Sequence, residues 1–126
     1  MSQLAYPGGP QGFHQCIAIS QTSDPTGAWF RYDFLFSGDT LNDYPKFGAW
    51  PDAYYASSSE FLNGAQFTGV TVQAYERAKM LAGQDARVVS FHIGDSSGIY
   101  SSLLPTDAEG GALGFNPPSE LRTRSS

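Results

Sequence analysis

Residues 29–36 alternate strictly, with Phe30, Tyr32, Phe34 and Phe36 on one face and Trp29, Arg31, Asp33 and Leu35 on the other. That is the period of a half-buried β-strand, and four rings on one face require a second layer to pack against. Residues 13–21 form a short apolar run before it, and the break at Ser23-Asp24-Pro25-Thr26-Gly27 marks a hairpin between the two. Residues 37–43 read as a turn-rich linker. Residues 44–50 and 54–61 then flank Pro51-Asp52-Ala53, a second hairpin in which Pro51 fixes φ and Asp52 bonds its own backbone. Asn63-Gly64 ends that hairpin and residues 70–74 begin another extended piece. Residues 75–83 are rich in Glu, Arg, Ala, Lys, Met and Leu and predict about two turns of helix closed by Gly83. Alternation returns over 87–93, with Val89, Phe91 and Ile93 opposite Val88, Ser90 and His92. Residues 1–12 read as an N-terminal loop and 106–126 as a flexible C-terminal tail. The expectation is an all-β fold with one short helix.

Composition sharpens this picture. Fourteen Gly and eight Pro in 126 residues punctuate the chain into short strands and exclude long helices. Twelve acidic against seven basic residues give a formal net charge of −5, with no basic patch, so nucleic acid is not an expected partner. No apolar stretch reaches the roughly 18 residues that span a bilayer, and residues 1–12 lack the pattern of a signal peptide. The single cysteine, Cys16, reads as a small buried hydrophobe within Cys16-Ile17-Ala18-Ile19 rather than as a nucleophile. His14 and His92 are far apart and read as ordinary strand residues. No metal-ligand spacing, phosphate loop or nucleophile elbow occurs, so neither a metal nor a cofactor is expected.

The chain also repeats itself weakly. Residues 16–36 and 70–93 are both strand, connection, strand, at an offset of about 54 residues, near the roughly 50-residue repeat of a four-stranded propeller blade. On that reading residues 13–36 are the outer strands of one blade, 46–93 a whole blade and 100–104 the start of the next.

At Ser20-Gln21-Thr22-Ser23-Asp24-Pro25-Thr26-Gly27-Ala28-Trp29 the sequence resembles the Asp-box hairpin of sialidase-like (BNR-repeat) propellers, and its two-residue Asp24-to-Gly27 spacing is closer to arabinanase-type glycosidases. In both families this hairpin joins the third and fourth strands of a blade. The resemblance gives Asp24 and Gly27 the role of shaping the turn, and Trp29 that of an aromatic tucked into the blade. Three blocks together, residues 20–32, 43–55 (Asp-Tyr-Pro-Lys-Phe-Gly-Ala-Trp-Pro-Asp-Ala-Tyr-Tyr) and 74–81 (Ala-Tyr-Glu-Arg-Ala-Lys-Met-Leu), resemble large secreted bacterial β-propeller proteins, mostly uncharacterised. They span about half the chain. The resemblance implies an extracellular or surface location and an incomplete ring of about two blades, whose open faces the remaining blades or further copies must cover.

Candidate chemistry is sparse. Glycosidases need two carboxylates about 5 to 9.5 Å apart. Only Asp43 is placed plausibly, and a turn cap paired with Lys46 is the blander account. Asp52 with Pro51, like Asp24, reads as a turn residue. Trp50, Tyr54 and Tyr55 could stack on a sugar, with Lys46 beside them, or pack between blades. Ser57-Ser58-Ser59 could offer hydroxyls to a ligand or form a solvent face. The expected function is non-catalytic binding or adhesion to a carbohydrate or protein. The alternatives are part of a glycoside hydrolase-like propeller, or a small β-protein that completes a ring by oligomerising.

Overall fold

The computed structural model describes residues 1–5, 12–94 and 103–105. Among them are seven strands and one helix: β1 (Ser2–Ala5), β2 (Phe13–Ser20), β3 (Trp29–Ser37), β4 (Thr40–Ala49), β5 (Tyr54–Leu62), β6 (Gln66–Tyr75), α1 (Arg77–Leu81) and β7 (Val88–Gly94). They form two antiparallel meanders, a three-stranded sheet β1-β2-β3 and a four-stranded sheet β4-β5-β6-β7. The all-β expectation with one short helix therefore holds.

Local chemistry explains most of the boundaries. Between β2 and β3, the Asp24 carboxylate accepts hydrogen bonds from the Thr26 amide (2.9 Å) and hydroxyl (2.7 Å), and the Gly27 amide donates to the Asp24 carbonyl. Trp29 folds back on this turn, its Nε1 donating to the Pro25 carbonyl at 3.2 Å. Asn63 and Gly64 both take left-handed φ (51° and 73°) to reverse β5 into β6. Gly83 (φ 68°) closes α1, its amide donating to the Met80 carbonyl, and the Phe30 ring fills the space a side chain there would need. The carboxylate of Glu76 ties the start of this connection to Arg87 at its end, at 2.8 Å from Nη2.

Two boundaries differ from the sequence reading. The segment expected to be an N-terminal loop contains β1, because Ser2 to Ala5 find partners on β2 (Ser2 opposite Ile17, Ala5 opposite His14). The expected linker 37–43 already holds the first residues of β4, with Thr40 opposite Leu62 and Asp43 opposite Ser59. A bulge between Asp43 and Lys46 obscures the period: Tyr44 adopts φ 49°, and Pro45 sits where an edge strand can spare an amide. The strand expected at 100–104 lies mostly outside the described residues. Leu103 to Pro105 have no regular structure.

The sheets pack face to face, and their shared interior changes character along the strands. At one end lie Ile17, Phe34, Ala56, Tyr75 and Met80, flanked by Ile19, Tyr32, Phe47, Tyr54, Ala86 and Val88. Tyr75 meets Phe34 edge to face at 4.9 Å between centroids. Burial of such side chains contributes about 1.5–3 kcal/mol each. Tyr32 reaches past this cluster, its hydroxyl donating to the Gln84 carbonyl at 2.9 Å, which anchors α1 to the other sheet. At the opposite end the interior is polar, with Gln15, Asn42, Ser58, Glu60, Thr71 and Gln73 all buried. Asn42 Nδ2 bridges the sheets by donating to Gln15 Oε1 at 3.1 Å.

Candidate functional site

The outer face of the four-stranded sheet carries a groove of about 510 Å³. Strand alternation builds it: Tyr55 and Ser57 on β5 lie opposite Ala74 and Val72 on β6, all directed away from the three-stranded sheet. Trp50 and Asp52 from the β4–β5 turn form one wall, and Leu103, Leu104 and Pro105 form the other. The Ser57 hydroxyl donates to the Leu103 carbonyl, which holds that segment against the sheet and explains why a serine on an outer face is only 3% exposed.

One polar group in the groove is fixed. The Tyr55 hydroxyl donates to Asp52 Oδ2 at 2.6 Å. The Asp52 carboxylate, with a smaller contribution from burial, raises the Tyr55 phenol above its usual range and keeps it the donor of this bond. Such an arrangement offers aromatic faces and a positioned acceptor, and no activated nucleophile.

The aromatic set singled out in the sequence is divided. Trp50 and Tyr55 share this groove, whereas Tyr54 points the other way, into the space between the sheets, with the Arg77 guanidinium 5.7 Å from its ring centre. Adjacent strand residues must face opposite ways, which separates Tyr54 from Tyr55. Lys46 lies over the Tyr44 ring at 4.4 Å. Asp43 is exposed and accepts the Tyr44 amide at 2.9 Å, a bond internal to the bulge. Pro51 bears on the groove indirectly: its carbonyl accepts from Arg77 Nη1 at 3.4 Å. Asp24, Gly27 and Trp29 stay together at the β2–β3 turn, and Trp29 lines a second groove of about 520 Å³ with Ile17, Phe47 and Tyr54.

Two other clusters escaped the sequence reading. On the outer face of the three-stranded sheet, His14 Nδ1 lies 2.7 Å from Asp33 Oδ1, and the Cys16 thiol donates to the same oxygen at 3.9 Å. Cys16 is thus partly exposed rather than buried, since Ile17 takes the inward position. The order of contacts is wrong for nucleophilic catalysis, because the carboxylate and not the imidazole meets the sulfur. Burial first, then Asp33, pushes the thiol pKa up and keeps it protonated. At the polar end of the interior, the Glu60 carboxylate faces His92 Nδ1, with the Thr71 hydroxyl 3.5 Å from the same nitrogen. No short-range signal in the sequence links Glu60 to His92, which lie on strands separated by β6. Among the described residues no three His, Cys, Asp or Glu side chains converge as a metal site, and no helix is long and apolar enough to cross a membrane.

No family model, curated protein or solved structure matches the chain.

Proposed function

We propose that the chain is a non-catalytic, propeller-type binding segment of a secreted or surface protein, and that its outer groove holds a carbohydrate. The observation that carries this reading is the pairing of Trp50 and Tyr55 with the Tyr55-bonded Asp52 carboxylate in one groove. Sugar rings present C–H faces to aromatic side chains and hydroxyls to a fixed acceptor, so both halves of the groove have work for such a ligand.

The wider reading draws on architecture. Strands β4 to β7 are a sequential antiparallel meander with the helix in the last connection, a connectivity that supports the blade reading. The hairpin resembling an Asp-box joins β2 and β3, the last two strands of the neighbouring sheet, which is consistent with that reading. Val89 (56% exposed) and Phe91 (67%) leave an apolar row with Ile93 on the open edge strand β7, a row that an adjoining sheet would cover. Asp43 accepts the Tyr44 amide within the β4 bulge, which supports a structural role for it over the hydrolase reading.

The test is a glycan panel followed by titration of the tightest binder into wild type and Trp50→Ala, with folding checked by circular dichroism. Saturable binding that falls about tenfold or more in the variant supports the reading, since stacking residues dominate such sites. No binding to any glycan, or binding that survives Trp50→Ala, overturns it.

A further inference from the structure

Among the described residues, β1, β3, β4 and β7 lie at sheet edges, and the first three carry features that block further pairing. Strand β1 has only four residues. Strand β3 exposes Arg31 and Asp33, and β4 is broken by the Asp43–Lys46 bulge with Pro45 inside it. Short, charged or bulged edges turn away a second chain. Strand β7 has none of these devices. Its seven residues, Val88-Val89-Ser90-Phe91-His92-Ile93-Gly94, include no proline, acid, lysine or arginine, and its register with β6 runs without a shift from Val88 to Gly94. No strand among the described residues pairs with its free side.

Alternation directs Val89, Phe91 and Ile93 to the outer face, beside Ala74, Val72 and Val70 of β6. They remain 56%, 67% and 36% exposed. This edge is complementary to itself. In an antiparallel pairing centred on Phe91, that ring faces Phe91 of a second copy, Val89 faces Ile93, and Ser90 faces His92. Every residue of β7 is then opposed, because Phe91 is the middle of the seven. Aromatic and aliphatic pairs across antiparallel strands are favourable, whereas like charges directly opposite are not. Strand β7 brings no carboxylate, ammonium or guanidinium group to the seam, and a charge on His92 is balanced by Glu60 of its own copy. Two chains of net charge −5 thus meet where neither presents a like charge to the other.

We propose that β7 pairs with β7 of a second copy about a two-fold axis at Phe91, joining two four-stranded sheets into one of eight. Each chain uses its single β7, so the contact closes at two copies. One pair of seven-residue strands covers less than the about 1,600 Å² of a standard interface, so the dimer is weak and forms as concentration rises. The axis runs perpendicular to the sheet and places both outer grooves on one face. The pairing does not rest on a glycan ligand and stands or falls apart from that reading.

The experiment is sedimentation of the full chain from about 10 μM to 1 mM, a range that covers weak association. A reversible monomer–dimer equilibrium is expected, weakened about tenfold or more in Phe91→Lys and unchanged in Leu35→Lys, whose side chain is exposed on the other sheet. Circular dichroism checks that both variants are folded. Register is tested by mild oxidation in a Cys16→Ser background. Phe91→Cys should cross-link, because directly opposed Cα atoms lie about 4.5–5.5 Å apart, within disulfide reach. Val89→Cys should not, because its counterpart lies four residues along the partner strand, about 14 Å away. A chain that stays monomeric at the highest concentration overturns the proposal and leaves the apolar row to an adjoining sheet. So does a dimer untouched by Phe91→Lys, growth beyond two copies, or cross-linking of Val89→Cys in preference to Phe91→Cys.

Discussion

Tyr75 is the side chain on which the packing of the two sheets depends most. It is fully buried, meets Phe34 edge to face at 4.9 Å and Phe47 at 6.1 Å, and its hydroxyl donates to Gln73 Oε1 at 2.9 Å. Tyr75→Ala removes the ring and leaves a cavity between the sheets, which should cost about 3–5 kcal/mol. Tyr75→Phe keeps the ring and deletes only the donor, leaving a buried amide oxygen unsatisfied, at a cost of about 1–2 kcal/mol. Adding Gln73→Leu to Tyr75→Phe removes the stranded acceptor, and the Ser90 hydroxyl that Gln73 engages is exposed and can turn to water. The double variant should therefore recover part of the loss, with a coupling of about 0.5–1.5 kcal/mol. Urea unfolding monitored by circular dichroism measures all three, with unchanged denaturant dependence expected for the phenylalanine variant. If Tyr75→Phe is as stable as wild type, or as damaging as Tyr75→Ala, the division between packing and hydrogen bonding is wrong. The same phenol supplies a pH test. Burial raises its pKa, so above pH 10 the unfolded chain releases a proton that the folded chain retains, and stability should fall with rising pH. Tyr75→Phe should flatten that alkaline loss.

Three further outcomes follow from other contacts. Alkylation of Cys16 should be slower than that of an unhindered thiol, and Asp33→Asn should speed it, because both burial and the carboxylate disfavour the thiolate; an Asp33→Asn rate below wild type would contradict this. Glu76, held below its ordinary range by Arg87, contributes stability above pH 4.5 that is lost as pH falls through its lowered pKa. The stability difference between wild type and Glu76→Gln should therefore shrink on acidification, and a gap that widens instead would reverse the sign of the argument. Gly69→Ala should cost about 1–3 kcal/mol in chemical denaturation, since φ is 137° and the added Cβ collides with the Ile93 carbonyl; a neutral result would show that β6 can relax there.

What could be read from the sequence was local. The aromatic face of β3 was legible because one side of an antiparallel strand is buried and the other wet, and Arg31, Asp33 and Leu35 are exposed as alternation requires. Asn63-Gly64 and Gly83 were legible because left-handed backbone restricts residue choice. Strand β1 was not, since four residues carry too little period and their structure comes from pairing with β2. The start of β4 was hidden by the Asp43–Lys46 bulge, which breaks the alternation. Of the candidate groove, Trp50, Asp52 and Tyr55 were visible as an aromatic turn, while the wall from Leu103 to Pro105 depends on a contact 46 residues away in sequence. The serine run shows the limit most plainly. Ser57 and Ser58 look like a solvent face, yet each is 3% exposed, one beneath Leu103 and one between the sheets.

The groove reading can be tested by the chain's own tryptophans, since it has two and each lines a different groove, Trp50 the outer one and Trp29 the one between the sheets. A Trp29→Phe variant reports on Trp50 alone, and a Trp50→Phe variant on Trp29 alone. Titration with the best-binding glycan should shift the emission of the first variant saturably and leave the second unchanged. A saturable change carried by Trp29, with none from Trp50, would place the ligand between the sheets and contradict the account.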